Sequence, residues 1–215
     1  MISPFFRRNH KWIALWMRGL VRVMAPRHHV TGRQHIPRRG PVIFASNHVS
    51  DSDPPVLGCA IRFPIAWMAK RELWSMGLLA PILDFFGCFP IDPASADRAA
   101  LKKGFETLEN GDGLVIFPEG KLSLDGELGP ILPGALLLAL KAGVTVVPVG
   151  IWGSQWIVPH GSTVPRPTLG PVRVHFGTPL CFDDLKTLPS RRARELALER
   201  LETALKAARE VAKRG

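Results

Sequence analysis

Two polar clusters in the 215-residue chain carry side chains able to do chemistry. The first reads Asn47-His48-Val49-Ser50-Asp51-Ser52-Asp53, the second Phe117-Pro118-Glu119-Gly120-Lys121-Leu122-Ser123. On a single helix His48 and Asp53 would point about 140° apart, so only a loop can fold them together. A carboxylate on one imidazole nitrogen then fixes the tautomer and steadies the imidazolium, and the other nitrogen can take a proton from a hydroxyl. On spacing alone, a loop histidine beside a helix cap is the stronger reading. In the second cluster Gly120 lets the backbone turn sharply behind Glu119, and Lys121 offers a cation to a phosphate. An ordinary strand-to-loop turn with a solvated Glu fits that cluster equally well.

The elements that must position these residues read as alternating strands and helices. Strands are expected over 41–46, 65–69, 88–91, 114–117, 145–151 and 172–176, with helices over 53–61, 95–109, 133–141 and 190–213 and short helices within 71–85. Asp53-Pro54 reads as a helix cap followed by Pro at the first helical position. The alternation predicts a single α/β domain, a mostly parallel mixed sheet flanked by helices, with an amphipathic N-terminal helix. Both polar clusters follow strands, where open α/β sheets gather ligands.

Charge is unevenly placed. Of 28 Lys and Arg, nine lie in residues 1–40, where there is no Asp or Glu; the other 19 face 18 acids. The basic segment contains Lys11–Met24, with Trp12, Leu15, Trp16, Gly19, Leu20 and Val23 on one helical stripe. Two Trp beside cations on one short helix suit a helix lying in a lipid headgroup layer, and packing on the domain is the rival reading. Residues 1–30 are therefore expected to be a basic amphipathic membrane-interface segment, with 31–215 the domain that carries both polar clusters. The expected partner is an anionic membrane surface; no motif supports nucleic acid. Neither a signal peptide nor a membrane span is expected, which points to a peripheral protein on the cytoplasmic face. Three scattered cysteines exclude a disulfide framework. Cys59 reads as a small core residue, His28-His29 as loop or interface histidines with no metal site, and Trp67, Trp74, Trp152 and Trp156 as channel lining, core or membrane contact alike.

Asn47-His48-x4-Asp53, then Phe117-Pro118-Glu119-Gly120, then Val147-Pro148-Val149, in this order and spacing, resembles the glycerolipid acyltransferase family, typified by 1-acylglycerol-3-phosphate acyltransferases. Ala69–Leu73 is similar to the family's Lys-containing block and Gly87–Asp92 to its second motif. The resemblance implies transfer of a fatty acyl chain from acyl-CoA or acyl carrier protein, as co-substrate with no further cofactor, to a hydroxyl of a lysolipid. By the same resemblance His48 would be the general base and Asp53 its orienting partner. Phe117, Pro118, Glu119, Gly120 and Lys121 would hold the acceptor, and Lys70 would meet its phosphate. No protein nucleophile is implied, in keeping with the absence of a Gly-x-Ser-x-Gly elbow. Two family arginines are replaced: Pro93 follows Asp92, and Lys121-Leu122 stand where Thr-Arg is usual. The acyl transfer is thus better supported than the glycerol-phosphate acceptor, and an ornithine-type lysolipid is an alternative. A non-catalytic lipid-binding protein and a serine hydrolase using Ser46 or Ser50 are the remaining readings.

Overall fold

The computed structural model describes residues 2–92, 97–162 and 164–215. Its elements run α1 (Pro4–Met24), β1 (His28–Thr31), β2 (Val42–Ser46), α2 (Asp53–Gly58), β3 (Ile65–Lys70), α3 (Leu79–Phe85) and β4 (Cys88–Ile91). They continue with α4 (Arg98–Glu109), β5 (Gly113–Ile116), α5 (Pro133–Lys141), β6 (Thr145–Trp152), β7 (Val172–Phe176) and α6 (Ser190–Arg214). The first residues of the helix expected over 95–109 lie outside the described residues.

The seven strands form one sheet in the order β1-β7-β6-β2-β5-β3-β4. Every neighbouring pair is parallel except β6 and β7. Central β2 is buried along its whole length. Val42 and Phe44 face a core shared with Val21 of α1 and Val56 and Leu57 of α2. Ile43 and Ala45 face the opposite core, with Leu108 of α4, Leu136 and Leu138 of α5, and Leu201 and Leu205 of α6. Apolar side chains on both faces are what a parallel sheet covered by helices requires. Leu201, Leu205, Ala208 and Ala212 on α6 are buried, as their spacing predicts. Gly150 lets α6 lie directly on β6: a Cβ there would stand 2.1 Å from the Ala208 carbonyl oxygen.

Two elements differ from the reading of the sequence. α1 starts at Pro4 because the Ser3 hydroxyl accepts the Phe6 amide and caps the helix. Its inward face is Phe6, Ile13, Met17 and Val21. The Trp-bearing stripe faces outward, against the rival reading in which it packs on the domain, with Trp12 73% and Trp16 67% exposed beside exposed Phe5, Leu15, Leu20 and Val23. Arg18 donates to the Cys59 carbonyl and ties the helix to the loop after α2. With Val21 and Ala25 in the core, α1 is an integral layer of the fold. Strand β1 was not foreseen; it straddles position 30 and pairs with β7. Among the described residues no helix is long and apolar enough to cross a membrane.

His28 on β1 holds its Nε2 buried with no hydrogen-bond partner among the described residues. Burial, reinforced by Arg33, His29, Arg22 and Arg18, pushes its pKa from the ordinary 6.5 down to about 4. Between those values the unfolded chain takes up a proton that the folded chain refuses, so stability is full above pH 6.5 and falls as pH drops. The loss should approach the order of 3 kcal/mol near pH 4. Denaturant unfolding at pH 7 and pH 4.5 should show this decline in the wild type and a shallower one in His28→Leu.

Candidate active site

β2, β5 and β6 are parallel neighbours, so their carboxyl ends emerge on one edge of the sheet. The chain leaves β2 toward β3 and β4, returns through β5, then crosses to the other side of β2 as β6. β2 thus sits where the strand order switches direction, the place at which α/β sheets open a crevice. Both polar clusters meet there, joined by the turn after β6.

His48 Nδ1 lies 2.8 Å from Asp53 Oδ2. The same oxygen accepts the amides of Val49 at 2.7 Å and Ser50 at 3.0 Å. Asp53 Oδ1 accepts the Ser154 hydroxyl. The expected cap is displaced by one residue: Ser52 is the cap and Asp53 the first helical residue. Its carboxylate reaches back over the loop, where three donors await it, instead of capping its own helix. Asp53 is completely buried, whereas the His48 side chain is 17% exposed. The imidazole stacks on the Phe117 ring, centroids 3.9 Å apart and planes 17° from parallel. One ring nitrogen is therefore held from behind and one ring face is covered, an arrangement in which Nε2 could exchange a proton.

Glu119 holds this loop from below. Its Oε1 accepts the His48 amide at 3.1 Å and its Oε2 the Gly129 amide at 2.7 Å, while the Ser123 amide donates to the His48 carbonyl at 2.7 Å. Burial pushes the Glu119 carboxyl above its ordinary range; the two amide bonds act in the opposite direction. The solvated-Glu alternative is thereby removed, since Glu119 is 4% exposed. Gly120 supplies the sharp turn at φ 66°, and buried Pro118 accepts the Leu132 amide through its carbonyl. Lys121 and Lys70 are exposed. Lys70 ends β3 on the same sheet edge, two strands from β2, and the structure ties neither lysine to His48.

Two participants were not assigned a role from sequence. Ser154 follows β6, 101 residues from Asp53, and no local pattern announces it. Asn47 stands in the first motif, and its amide pairs with both backbone groups of Ile151, Nδ2 donating at 3.0 Å and Oδ1 accepting at 2.7 Å. It thus fastens the end of β2 to β6. The serine-hydrolase reading is overturned: Ser46 Oγ donates to the Asn47 carbonyl, Ser50 Oγ to the Val158 carbonyl, and both residues are buried. Cys59 is a core residue; burial raises its thiol pKa to about 11, and its Sγ lies against the Val56 carbonyl. Trp67 is core, and Trp152 lies beneath Lys213 and Arg209. Among the described residues no group of three or more His, Cys, Asp or Glu could hold a metal ion.

A family model described as Acyltransferase matches residues 27–152, which contain all three motifs. The chain belongs to the acyltransferase family. A chloroplastic 1-acyl-sn-glycerol-3-phosphate acyltransferase of Arabidopsis thaliana is 29% identical over 166 residues, 75% of this chain and 46% of that one. A 1-acyl-sn-glycerol-3-phosphate acyltransferase of Pseudomonas aeruginosa is 33% identical, over 72% of this chain and 62% of that one. A lyso-ornithine lipid O-acyltransferase of the same organism is 32% identical, over 70% of this chain and 55% of that one. This acyltransferase chain thus spans about half to three fifths of the length of these relatives. Its fold is that of a 1-acyl-sn-glycerophosphate acyltransferase from Thermotoga maritima, with a TM-score of 0.69 and 24% identity over 93% of this chain and 82% of that one.

Glu119→Gln tests the latch. A carboxamide can accept from one of the two amides but turns its NH2 toward the other, leaving a buried donor unmatched at a cost of about 1–3 kcal/mol. Chemical denaturation should show a loss of that size; an unchanged midpoint would contradict the latch.

Proposed function

We propose that this acyltransferase moves a fatty acyl chain from an acyl thioester, on coenzyme A or acyl carrier protein, to a hydroxyl of a lysolipid. The observation that carries the reading is His48, braced at Nδ1 by a fully buried carboxylate while its ring reaches the surface. In the proposed step the acceptor hydroxyl donates to His48 Nε2 and its oxygen attacks the thioester carbonyl carbon. Nε2 takes the hydroxyl proton as the C–O bond forms. The tetrahedral intermediate then collapses, the C–S bond breaks, and the leaving sulfur takes the proton back from Nε2, giving an ester and a free thiol. Asp53 holds the required tautomer and faces the transient imidazolium. The histidine is regenerated, and this chemistry needs no further cofactor.

The acceptor we propose is 1-acylglycerol-3-phosphate, with a lyso-ornithine lipid as the second reading. Relatives named for both acceptors are similarly identical to this chain. Lys121 in place of the family's Thr, with Leu122 in place of its Arg, removes a bidentate phosphate contact and favours testing the second. Exposed Lys70 and Lys121 are the proposed phosphate contacts, and Phe117, Pro118, Glu119 and Gly120 shape the acceptor side. The proposed setting is the anionic cytoplasmic face of a membrane, with the protein peripheral and the exposed stripe of α1 among the headgroups. In support, that stripe is apolar and outward, and residues 1–40 carry cations without an acid.

Thiol release from a long-chain acyl thioester, with product mass read for each lysolipid, tests the reaction. His48→Ala should lower kcat by about 10²–10⁴-fold in a chain that still folds, with a lower unfolding midpoint because Asp53 loses one donor; equal rates would remove His48 from the mechanism. Replacing Trp12 and Trp16 together by Ser should cut co-sedimentation with anionic vesicles, and wild-type binding should weaken as salt screens the cations. Undiminished sedimentation of the double variant would remove α1 as the membrane contact.

A further inference from the structure

Ser154 is 101 residues from Asp53 in the chain, yet its hydroxyl donates to Asp53 Oδ1 inside the protein, where both residues are completely buried. The three other donors, His48 Nδ1 and the Val49 and Ser50 amides, all lie on Oδ2. A carboxylate turns about a broad, soft terminal torsion, and donors on one oxygen alone let the group pivot around that oxygen. A donor on the second oxygen fixes its plane. Ser154 also accepts: its carbonyl takes the Ser52 hydroxyl at 2.8 Å. The turn after β6 is thus bolted at two points to the start of α2.

The backbone there is shaped for this contact. Gly153 adopts φ 88°, and a Cβ on it would stand 2.2 Å from the Pro171 carbonyl oxygen. The Gly153 amide is taken by Gln155 Oε1 at 2.9 Å, and a short 3-10 turn over Ser154–Trp156 follows. The chain ends β6 in a left-handed step that only glycine takes readily, and this step delivers the next residue's hydroxyl to the carboxylate.

We infer that Ser154 is a positioning residue for the His48–Asp53 pair, its hydroxyl setting the plane of the Asp53 carboxylate and through it the orientation of the His48 ring. Ser154 is completely buried and acts through Asp53. The inference rests on the acyl-transfer reading for its kinetic consequence but not for its structural one. Without the hydroxyl, Oδ1 is left dry and unpartnered, and the carboxylate rotates toward other donors. The imidazole then loses its fixed Nδ1–H partner, and proton transfer slows while substrate contacts stay as they were.

The test uses the full chain with ¹⁵N-labelled histidine. Ring-nitrogen shifts of His48, assigned by their loss in His48→Ala, report which nitrogen carries the proton. The wild type should show the Nδ1–H form, Ser154→Ala a mixture of the two tautomers, and Ser154→Cys, which keeps the volume with a weaker donor, an intermediate. With substrate, Ser154→Ala should lower kcat about ten- to a hundredfold with KM within about twofold. Leu205→Ala on α6, buried far along the chain from the site, is the control for general destabilisation: it should lower the unfolding midpoint and leave tautomer and kcat as in the wild type. An unchanged tautomer in Ser154→Ala, or a kcat loss matched by Leu205→Ala, overturns the inference. If Ser154→Ala does not fold, Ser154→Cys decides the matter alone on the same readings. A wild type without turnover on any lysolipid, but with the tautomer shift in Ser154→Ala, removes the acyl-transfer reading and upholds the positioning role.

Discussion

The carboxylate of Asp53 sits where water does not reach, and its environment is organised to make that tolerable. A buried carboxylate is costly unless hydrogen bonds replace its hydration. Four donors do so here: an imidazole, two backbone amides and a hydroxyl. They come from the loop after β2 and from the turn after β6, so satisfying one side chain brings two separate strand ends together. The helix that begins with Asp53 supplies the rest of the anchor, through Val56 and Leu57 in the core beside Phe44.

Everything else at the site extends this arrangement outward. Asn47 locks the end of β2 to β6 by pairing with Ile151 as a strand neighbour would. Glu119 does the corresponding work on the β5 side, gripping the His48 amide directly. His48 is therefore held through its backbone by β5, through Nδ1 by Asp53, and across its ring face by Phe117. The parallel sheet makes this possible, because three neighbouring strands deliver their carboxyl ends, and hence their loops, to one edge. An antiparallel pairing of β2 with either neighbour would send one of those loops to the opposite edge.

The central strands were legible because they are short apolar runs bounded by turn residues, and Val42–Ser46 is the clearest. The buried stripe of α6 was legible because its period is helical and its other faces are charged. β1 was not: His28-His29-Val30-Thr31 carries one aliphatic residue, and only its pairing with β7 makes it a strand. For α1 the helix and its outward Trp stripe were readable, but the residues that pack were not. Trp12 and Trp16 form the more apolar stripe, yet Phe6, Ile13, Met17 and Val21 are the ones that pack. Periodicity reports that a face exists, and the choice of face belongs to tertiary contact. At the site, His48, Asp53 and Glu119 were nameable through the family resemblance of their motifs, since spacing alone favoured a loop histidine and left an ordinary turn equally open. The inward turn of Glu119 and the part of Ser154 were not, because each depends on a partner distant in sequence: Gly129 and the His48 amide for one, Asp53 for the other.

The spacing of the first motif follows from the same geometry. Two of the four residues between His48 and Asp53 contribute backbone amides to the carboxylate, and neither contributes a side chain to it. The loop must be long enough to turn Val49 and Ser50 amides inward and short enough to bring His48 Nδ1 to the same oxygen. Its length is thus set by hydrogen-bond reach, whereas the Val49 side chain serves only the core and Asp51 is exposed. Adding or removing one residue would move either the amides or the imidazole off Oδ2 and leave a buried carboxylate short of donors. The separation of imidazole and carboxylate is in this sense a stability requirement first, and the orientation of the ring follows from it.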